Sequence, residues 1–178
     1  MPPPLATLTQ RVLAIDPALR NTGYAVLARA GNGRFRALVH GTIKNPDKLL
    51  QSGCLVAIRE RIREVMQEFQ PDCAAMEAII YVQSLRTAIV MGCARGAALL
   101  AAAESGLPIY EYAPRRVKQA VVGRGGAQKN QVSFMVRATI DGLEGEITPD
   151  AADALAIGMT HFQTENSAVL GATKLERI

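Results

Sequence analysis

RVLAIDPALRNTGYAVLARAGNGRFRALVHGTI, residues 11–43, contains three strand-like runs: RVLAID (11–16), TGYAVLARA (22–30) and RFRALVHGTI (34–43). Asp16-Pro17 opens the first connection, and Gly31-Asn32-Gly33 makes the second a hairpin turn. A parallel return needs a crossover of about a dozen residues, so these short links predict three antiparallel neighbours.

Beyond residue 43 the hydrophobic period changes. Leu55, Ile58, Ile62, Val65 and Phe69 recur at spacings of three and four, with Arg59, Glu60, Arg63, Glu64 and Glu68 between them, which predicts an amphipathic helix over 49–69. CAAME (73–77) follows Pro71 as a short buried strand. Residues 84–104 read as a second helix, apolar nearly all round and therefore expected to be covered on most sides. LPIYEYA (107–113) alternates as a strand, Pro114 opens a short helix, and Gly123, Gly125 and Gly126 break the chain before a helix near 128–140. Val132, Met135, Val136 and Ile140 supply the inward stripe of that helix. Thr148 is the expected N-cap of a last helix, with Pro149 as its first residue. The order βββ-α-β-α-β-α-α-α predicts an α/β fold: a mixed sheet with helices on both faces, the layout of ribonuclease-H-like proteins. The cored domain is expected to span 11–163, between a flexible lead-in (1–10) and a polar C-terminal tail (164–178).

With 178 residues, 49% of them hydrophobic and a net charge of +4, the chain has enough apolar surface for one cored domain, which excludes intrinsic disorder. Its longest unbroken apolar run, Gly96 to Ala103, is eight residues, so no membrane crossing is expected. MPPPLATLTQ lacks the basic start and apolar stretch of a secretory signal, and Cys54, Cys73 and Cys93 are scattered in apolar surroundings without a CxxC pair. A cytoplasmic protein with reduced core thiols and no zinc site is the expectation.

Asp16 and Glu77 each end an apolar strand, where open α/β sheets place ligands. Singly, Asp16 reads as the start of a turn and Glu77 as a strand meeting solvent; together they suggest a shared site. Asp150 and Asp153 lie three apart at a helix start, which puts both on one face. Asp150 also suits the helix dipole, whereas Asp153 interrupts the apolar run AADALAIGM and calls for a cationic partner, which a divalent metal ion would be. Four acids without His or Cys suit magnesium or manganese, and two such ions can drive phosphodiester hydrolysis. Arg115, Arg116, Lys118, Arg124, Lys129 and Arg137 give residues 112–140 a charge of +6 with no acid among them. The remainder is then about −2, a localised basic excess suited to phosphate binding. The glycines at 123, 125 and 126 match no phosphate-loop fingerprint and read as a flexible, DNA-touching loop. His40 and His161 lack a neighbouring nucleophile and read as structural or surface residues.

IDPALRNTGYAV (15–26), Glu77, ARG (94–96), VKQAVVGRGGAQKNQV (117–132) and DAADALAIGMTH (150–161) together closely resemble RuvC, the bacterial Holliday-junction resolvase family, over residues 11 to about 162. The resemblance implies a homodimer of ribonuclease-H-like subunits that nicks two symmetry-related strands of a four-way DNA junction in recombination and repair. It implies Asp16, Glu77, Asp150 and Asp153 as the catalytic and metal-holding acids, with Mg2+, two ions per subunit and Mn2+ as a substitute. It also implies Lys118 and Lys129 near the scissile phosphate and a branch-migration helicase complex as partner.

Three departures stand out. Ala18 follows Asp16-Pro17 where the family has Gly; Ile80 takes the place of a Phe associated with base stacking, with Tyr81 as the neighbouring candidate; and Val82, Gln83 and Ser84 replace charged or amide residues. They leave open a junction-binding paralogue with weak or no activity, or a nuclease of the same fold acting on RNA or other branched DNA. A sugar-kinase or actin-like ATPase, suggested by DPALRNTG, would need two such domains.

Overall fold

Successive side chains of RVLAID face opposite sides of a sheet, yet Val12, Leu13, Ala14 and Ile15 are all fully buried, so this strand must be covered on both faces. A computed structural model of the chain, describing residues 8–30, 33–80, 84–143, 145–169 and 177–178, shows how. Strand β1 (Leu8–Asp16) pairs antiparallel with β2 (Asn21–Ala30), which pairs antiparallel with β3 (Phe35–Lys44). On its other side β1 pairs parallel with β4 (Cys73–Glu77), and β4 with β5 (Ile109–Tyr112). A two-residue strand, β6 (Ile140–Asp141), adds parallel to β3 and completes the order β5-β4-β1-β2-β3-β6. Of the expected hairpin turn, residues 31 and 32 lie outside the described residues; Gly33 has φ 81°, and its N–H donates to the Ala30 carbonyl at 2.8 Å.

Helices α1 (Gln51–Phe69) and α2 (Leu85–Glu104) cover one face, over Leu13, Ile15, Val26 and Met76. Helices α3 (Pro114–Val122), α4 (Lys129–Thr139) and α5 (Pro149–Val169) cover the other, over Val12, Ala14, Leu27 and Ala75. The inward stripe of α1 is Cys54, Ile58, Ile62, Val65 and Met66, one residue off the expected pattern at Leu55, which is only half-buried. The helix buried nearly all round is α5, where Gly158 lets the backbone settle on the sheet: a β carbon there would stand 2.7 Å from Leu27 Cδ1 and 3.3 Å from Ala14 Cβ.

Three expectations need correction. Within the chain α2 is covered on one side, through Ala94, Ala98, Ala101 and Ala102, while Leu85, Ile89 and Leu100 are 78%, 56% and 50% exposed. By length and composition α2 is also apolar enough to cross a membrane, which an unbroken-run criterion misses because Arg86, Thr87 and Arg95 interrupt it. Its alanine face packs in the core, as a helix of a globular domain does. Finally, the domain boundaries shift: Leu8 to Gln10 belong to β1, and α5 continues through residues 164–169, where Glu165 pairs with Arg29 at 3.3 Å.

Candidate active site

The parallel register Ile15↔Met76 brings Asp16 and Glu77 side by side at the carboxyl ends of β1 and β4. Both continue the set of alternate residues, Val12, Ala14, Cys73 and Ala75, that faces α5. The start of α5 supplies Asp150 and, one turn on, Asp153 to the same end of the sheet. Thr148 fixes that start as its N-cap: its hydroxyl accepts from the Ala151 N–H at 3.3 Å and pairs with the Thr42 hydroxyl on β3 at 2.6 Å. Sequence reasoning did not single out Gly23, which lies opposite Asp16 on β2, where a β carbon would overlap the Asp150 backbone carbonyl. Its signal was the Thr22-Gly23 pair in the first motif.

Burial pushes the Asp16 carboxyl up to about 6, and the charges of Asp153 and Asp150 add to the effect while Lys129 opposes it. Burial likewise pushes Glu77 up to about 7, reinforced by Asp16 and Asp153 and opposed by Lys129 and Lys118. The Lys129 ammonium donates to Asp153 Oδ2 at 3.0 Å, so a lysine meets the carboxylate for which the interrupted apolar run suggested a divalent ion. Lys129 opens α4, the end of a helix that disfavours a cation, and Gln131 fixes that end by accepting from the Gln128 N–H at 3.0 Å. Glu77, Lys118, Lys129 and Asp153 line one cleft of about 180 Å³ with Pro114 and Val117.

Among the described residues no three Asp, Glu, His or Cys side chains stand close enough together to hold one ion, so the metal cluster expected from the four acids is not drawn tight. Mutual repulsion among the carboxylates and the hold of Lys129 on Asp153 both oppose closer approach. The donor set nevertheless fits a hard divalent cation, being all carboxylate oxygen and carrying two carboxyls whose ionisation burial and the neighbouring acids oppose.

Among the remaining candidates, Arg115 and Arg124 are exposed, whereas Arg116 turns away, its guanidinium 3.5 Å from the Thr164 hydroxyl far along α5. Arg137 likewise turns to the Ile147 carbonyl, at 3.4 Å. Ile80 is 67% exposed three residues past Glu77, and Tyr81 lies outside the described residues. His161 is a core residue, bonded to the Tyr112 hydroxyl at 2.9 Å and the Cys73 thiol at 3.2 Å, and burial pushes it down to about 4, so it is neutral. His40 is half-buried on β3, beside an open groove on the α1 face.

The family model described as crossover junction endodeoxyribonuclease RuvC matches residues 12–161. The chain belongs to the RuvC family. It is 56% identical over 152 residues to a crossover junction endodeoxyribonuclease RuvC of Akkermansia muciniphila, covering 85% of this chain and 90% of that one. The counterpart in Chloroflexus aggregans is 43% identical over 155 residues, covering 86% and 93%. A solved structure of Thermus thermophilus RuvC in complex with a Holliday junction substrate superposes with a TM-score of 0.84 at 32% identity, covering 96% of this chain and all of that one. One departure from the RuvC pattern is accommodated: among the described residues Gln70 alone is a non-glycine with positive φ, so Ala18 needs no left-handed backbone. Its N–H donates to the Thr22 hydroxyl at 3.2 Å, and that hydroxyl donates to the Ala18 carbonyl at 2.6 Å, closing the turn.

Proposed function

We propose that the chain is a divalent-metal-dependent endodeoxyribonuclease that resolves four-way DNA junctions by paired symmetric nicks. The observation that carries the reading is the gathering of Asp16, Glu77, Asp150 and Asp153 from two strand ends and one helix start, beside Lys118 and Lys129, in a RuvC-family chain. Asp16, Glu77 and Asp150 would draw together on a bound metal, and Asp153 would complete the set or position the attacking water. Magnesium, two ions per subunit by the family resemblance and replaceable by manganese, would supply positive charge and a water of lowered pKa. Lys118 and Lys129 face the scissile phosphate and offset the charge that builds there during hydrolysis. Arg115 and Arg124 hold flanking phosphates, and Ile80, with Tyr81 as the neighbouring candidate in the sequence, takes the position that the resemblance associates with the opened junction. Buried free Cys54 and Cys73 suit a reducing cytoplasm. A branch-migration helicase complex as partner follows from the resemblance alone.

The test is cleavage of a synthetic four-way junction beside linear duplex, branched DNA and RNA, with and without magnesium or manganese. Paired symmetric nicks confined to the junction and dependent on metal are expected. Junction-selective binding without cuts would favour a binding-only paralogue, and equal cutting of duplex or RNA would end the junction-specific reading.

Two equivalent cuts call for two-fold symmetry, and α2 offers the surface for it. Leu85, Ile89, Gly92, Gly96 and Leu100 follow one another at spacings of three and four along one exposed side, and a β carbon at either glycine would meet nothing within 4 Å. Two copies of α2 can therefore cross closely at Gly92 and Gly96 with the leucines and Ile89 packed to either side. Ile89→Glu is expected to convert a dimer into a folded monomer by analytical ultracentrifugation and to uncouple the paired nicks. A dimer unchanged by that substitution would remove α2 from the interface.

A further inference from the structure

We propose that Arg95, on α2, is a positioning residue that fixes the end of β4 carrying Glu77 and ties it to β5 through Glu111. The inference rests on the proposed role of Glu77. Arg95 belongs to the Ala94-Arg95-Gly96 block that marks the family resemblance, and nothing in the chemistry above uses it. Its guanidinium Nη1 donates to the Glu77 backbone carbonyl at 3.1 Å and lies 3.8 Å from Met76 Sδ, while Nη2 pairs with Glu111 Oε1 at 2.7 Å. The two side chains are only 15% and 30% exposed.

The need for such a clamp follows from the sheet. Strand β4 has five residues, and Ala78 N–H to Tyr112 O, at 2.9 Å, continues its pairing with β5 one residue past Glu77. Ile79 and Ile80 then turn out to solvent, so Glu77 stands one residue from the end of the paired strand although its carboxyl must hold a fixed place. The register Met76↔Glu111 puts Glu111 on the α2 face, opposite the face on which the Glu77 side chain lies. Arg95 therefore grips the Glu77 backbone from behind without touching its carboxyl. A planar fork suits the task, since one arm meets a carbonyl of β4 and the other a carboxylate of β5, and the ion pair orients the arm that does the holding. Met in its place would keep the aliphatic stem and lose both arms; Lys would keep the charge with one compact head that serves either partner but not both.

Arg95→Met, Arg95→Lys and Glu111→Gln would each be compared with the full-length wild type on a four-way DNA junction. The prediction is that Arg95→Met lowers kcat at saturating junction by about 30-fold, the consequence of a sub-ångström displacement of one acid, while metal-free junction Kd stays within about two-fold. Arg95→Lys should recover part of that loss, and Glu111→Gln should lose less than Arg95→Met because the arm on the Glu77 carbonyl remains. In metal-free protein, amide exchange across residues 73–80 should quicken in Arg95→Met with α1 unchanged, a readout independent of cleavage. Wild-type kcat in Arg95→Met, an equal loss in Glu111→Gln, or a Kd rising in step with the fall in kcat would each overturn the proposal. Should Arg95→Met fail to fold, Arg95→Lys decides: lowered kcat at unchanged Tm supports positioning, and wild-type kcat refutes it. A wild type that cuts no junction would refute the functional reading itself, a different result from any of these.

Discussion

Asp16→Asn is expected to abolish junction cleavage, by at least about a hundred-fold, while making the metal-free protein more stable at pH 8. The two effects have one origin. The Asp16 carboxyl is held at about 6 in the folded chain against an ordinary value of 3.8, chiefly by burial and then by Asp153 and Asp150. A folded-state value above the unfolded one means that the native chain keeps a proton that the unfolded chain gives up. Stability therefore falls as pH rises from about 4 to about 6, and the cost is complete above that window. The displacement from 3.8 to about 6 corresponds to about 3 kcal/mol. Glu77, raised from 4.5 to about 7, acts in the same direction over a higher window, and because the two carboxyls repel each other, relief at Asp16 also eases Glu77.

Asparagine keeps the shape and removes the charge, so its Tm should exceed that of the wild type at pH 8, and the difference should vanish near pH 4. A divalent cation should raise the wild-type Tm at pH 8 by binding the folded state, and raise that of Asp16→Asn less. Cleavage at the wild-type rate, or an Asp16→Asn protein that melts lower than the wild type at pH 8, would remove Asp16 from a metal-holding set. Burial and mutual repulsion make these acids costly to ionise, and a divalent cation bound among them would offset that cost.

Strand ends and helix starts were readable because their signals are local. Asp16 closes an apolar run before Pro17, Glu77 closes CAAME, and Thr148-Pro149 marks a helix N-terminus whatever surrounds it. Asp153 stood out as a charge in an apolar run, and Lys129, 24 residues upstream, is the group that meets it. Tertiary relations left weaker marks. Both α2 and α5 are rich in alanine and carry glycine, and composition does not say which is sunk into the core; Gly158 against Leu27 and Ala14 decides for α5, while Gly92 and Gly96 face outward. The two residues of β6 are too few to carry a period, and their pairing with Phe35 and Arg36 depends on where α4 ends. Arg116 looks like its basic neighbours in sequence, but on α3 it turns toward Thr164 while Lys118 turns into the cleft. A charge census therefore identifies a basic segment without identifying which of its members reach the substrate.

Gly23→Ala is expected to cost about as much activity as loss of a catalytic group, although residue 23 carries no side chain. Gly23 pairs with Asp16 across β1 and β2 and with Thr42 across β2 and β3. Its α carbon faces the start of α5 so closely that a β carbon would overlap the Asp150 carbonyl and lie 3.2 Å from Asp150 Cβ. The requirement is for space rather than for an unusual backbone, since among the described glycines Gly23 is not one with positive φ. A flexible side chain could swing aside from a methyl group, but a backbone carbonyl in the first turn of a helix cannot. The start of α5 must then shift by about 1 Å, and a displacement of that size at reacting groups costs on the order of a hundred-fold in rate. Thr148 resists the shift through its hydroxyl contact with Thr42, so strain adds about 1–3 kcal/mol of lost stability. Asp150 and Asp153 move with the helix while Asp16 and Glu77 stay with the sheet, so the acid set is split along its structural seam. Junction binding should fall far less than cleavage, because Lys118 and Lys129 sit on α3 and α4. Cleavage by Gly23→Ala at the wild-type rate would mean that α5 yields without cost, and that the distance between the strand acids and the helix acids does not limit the reaction.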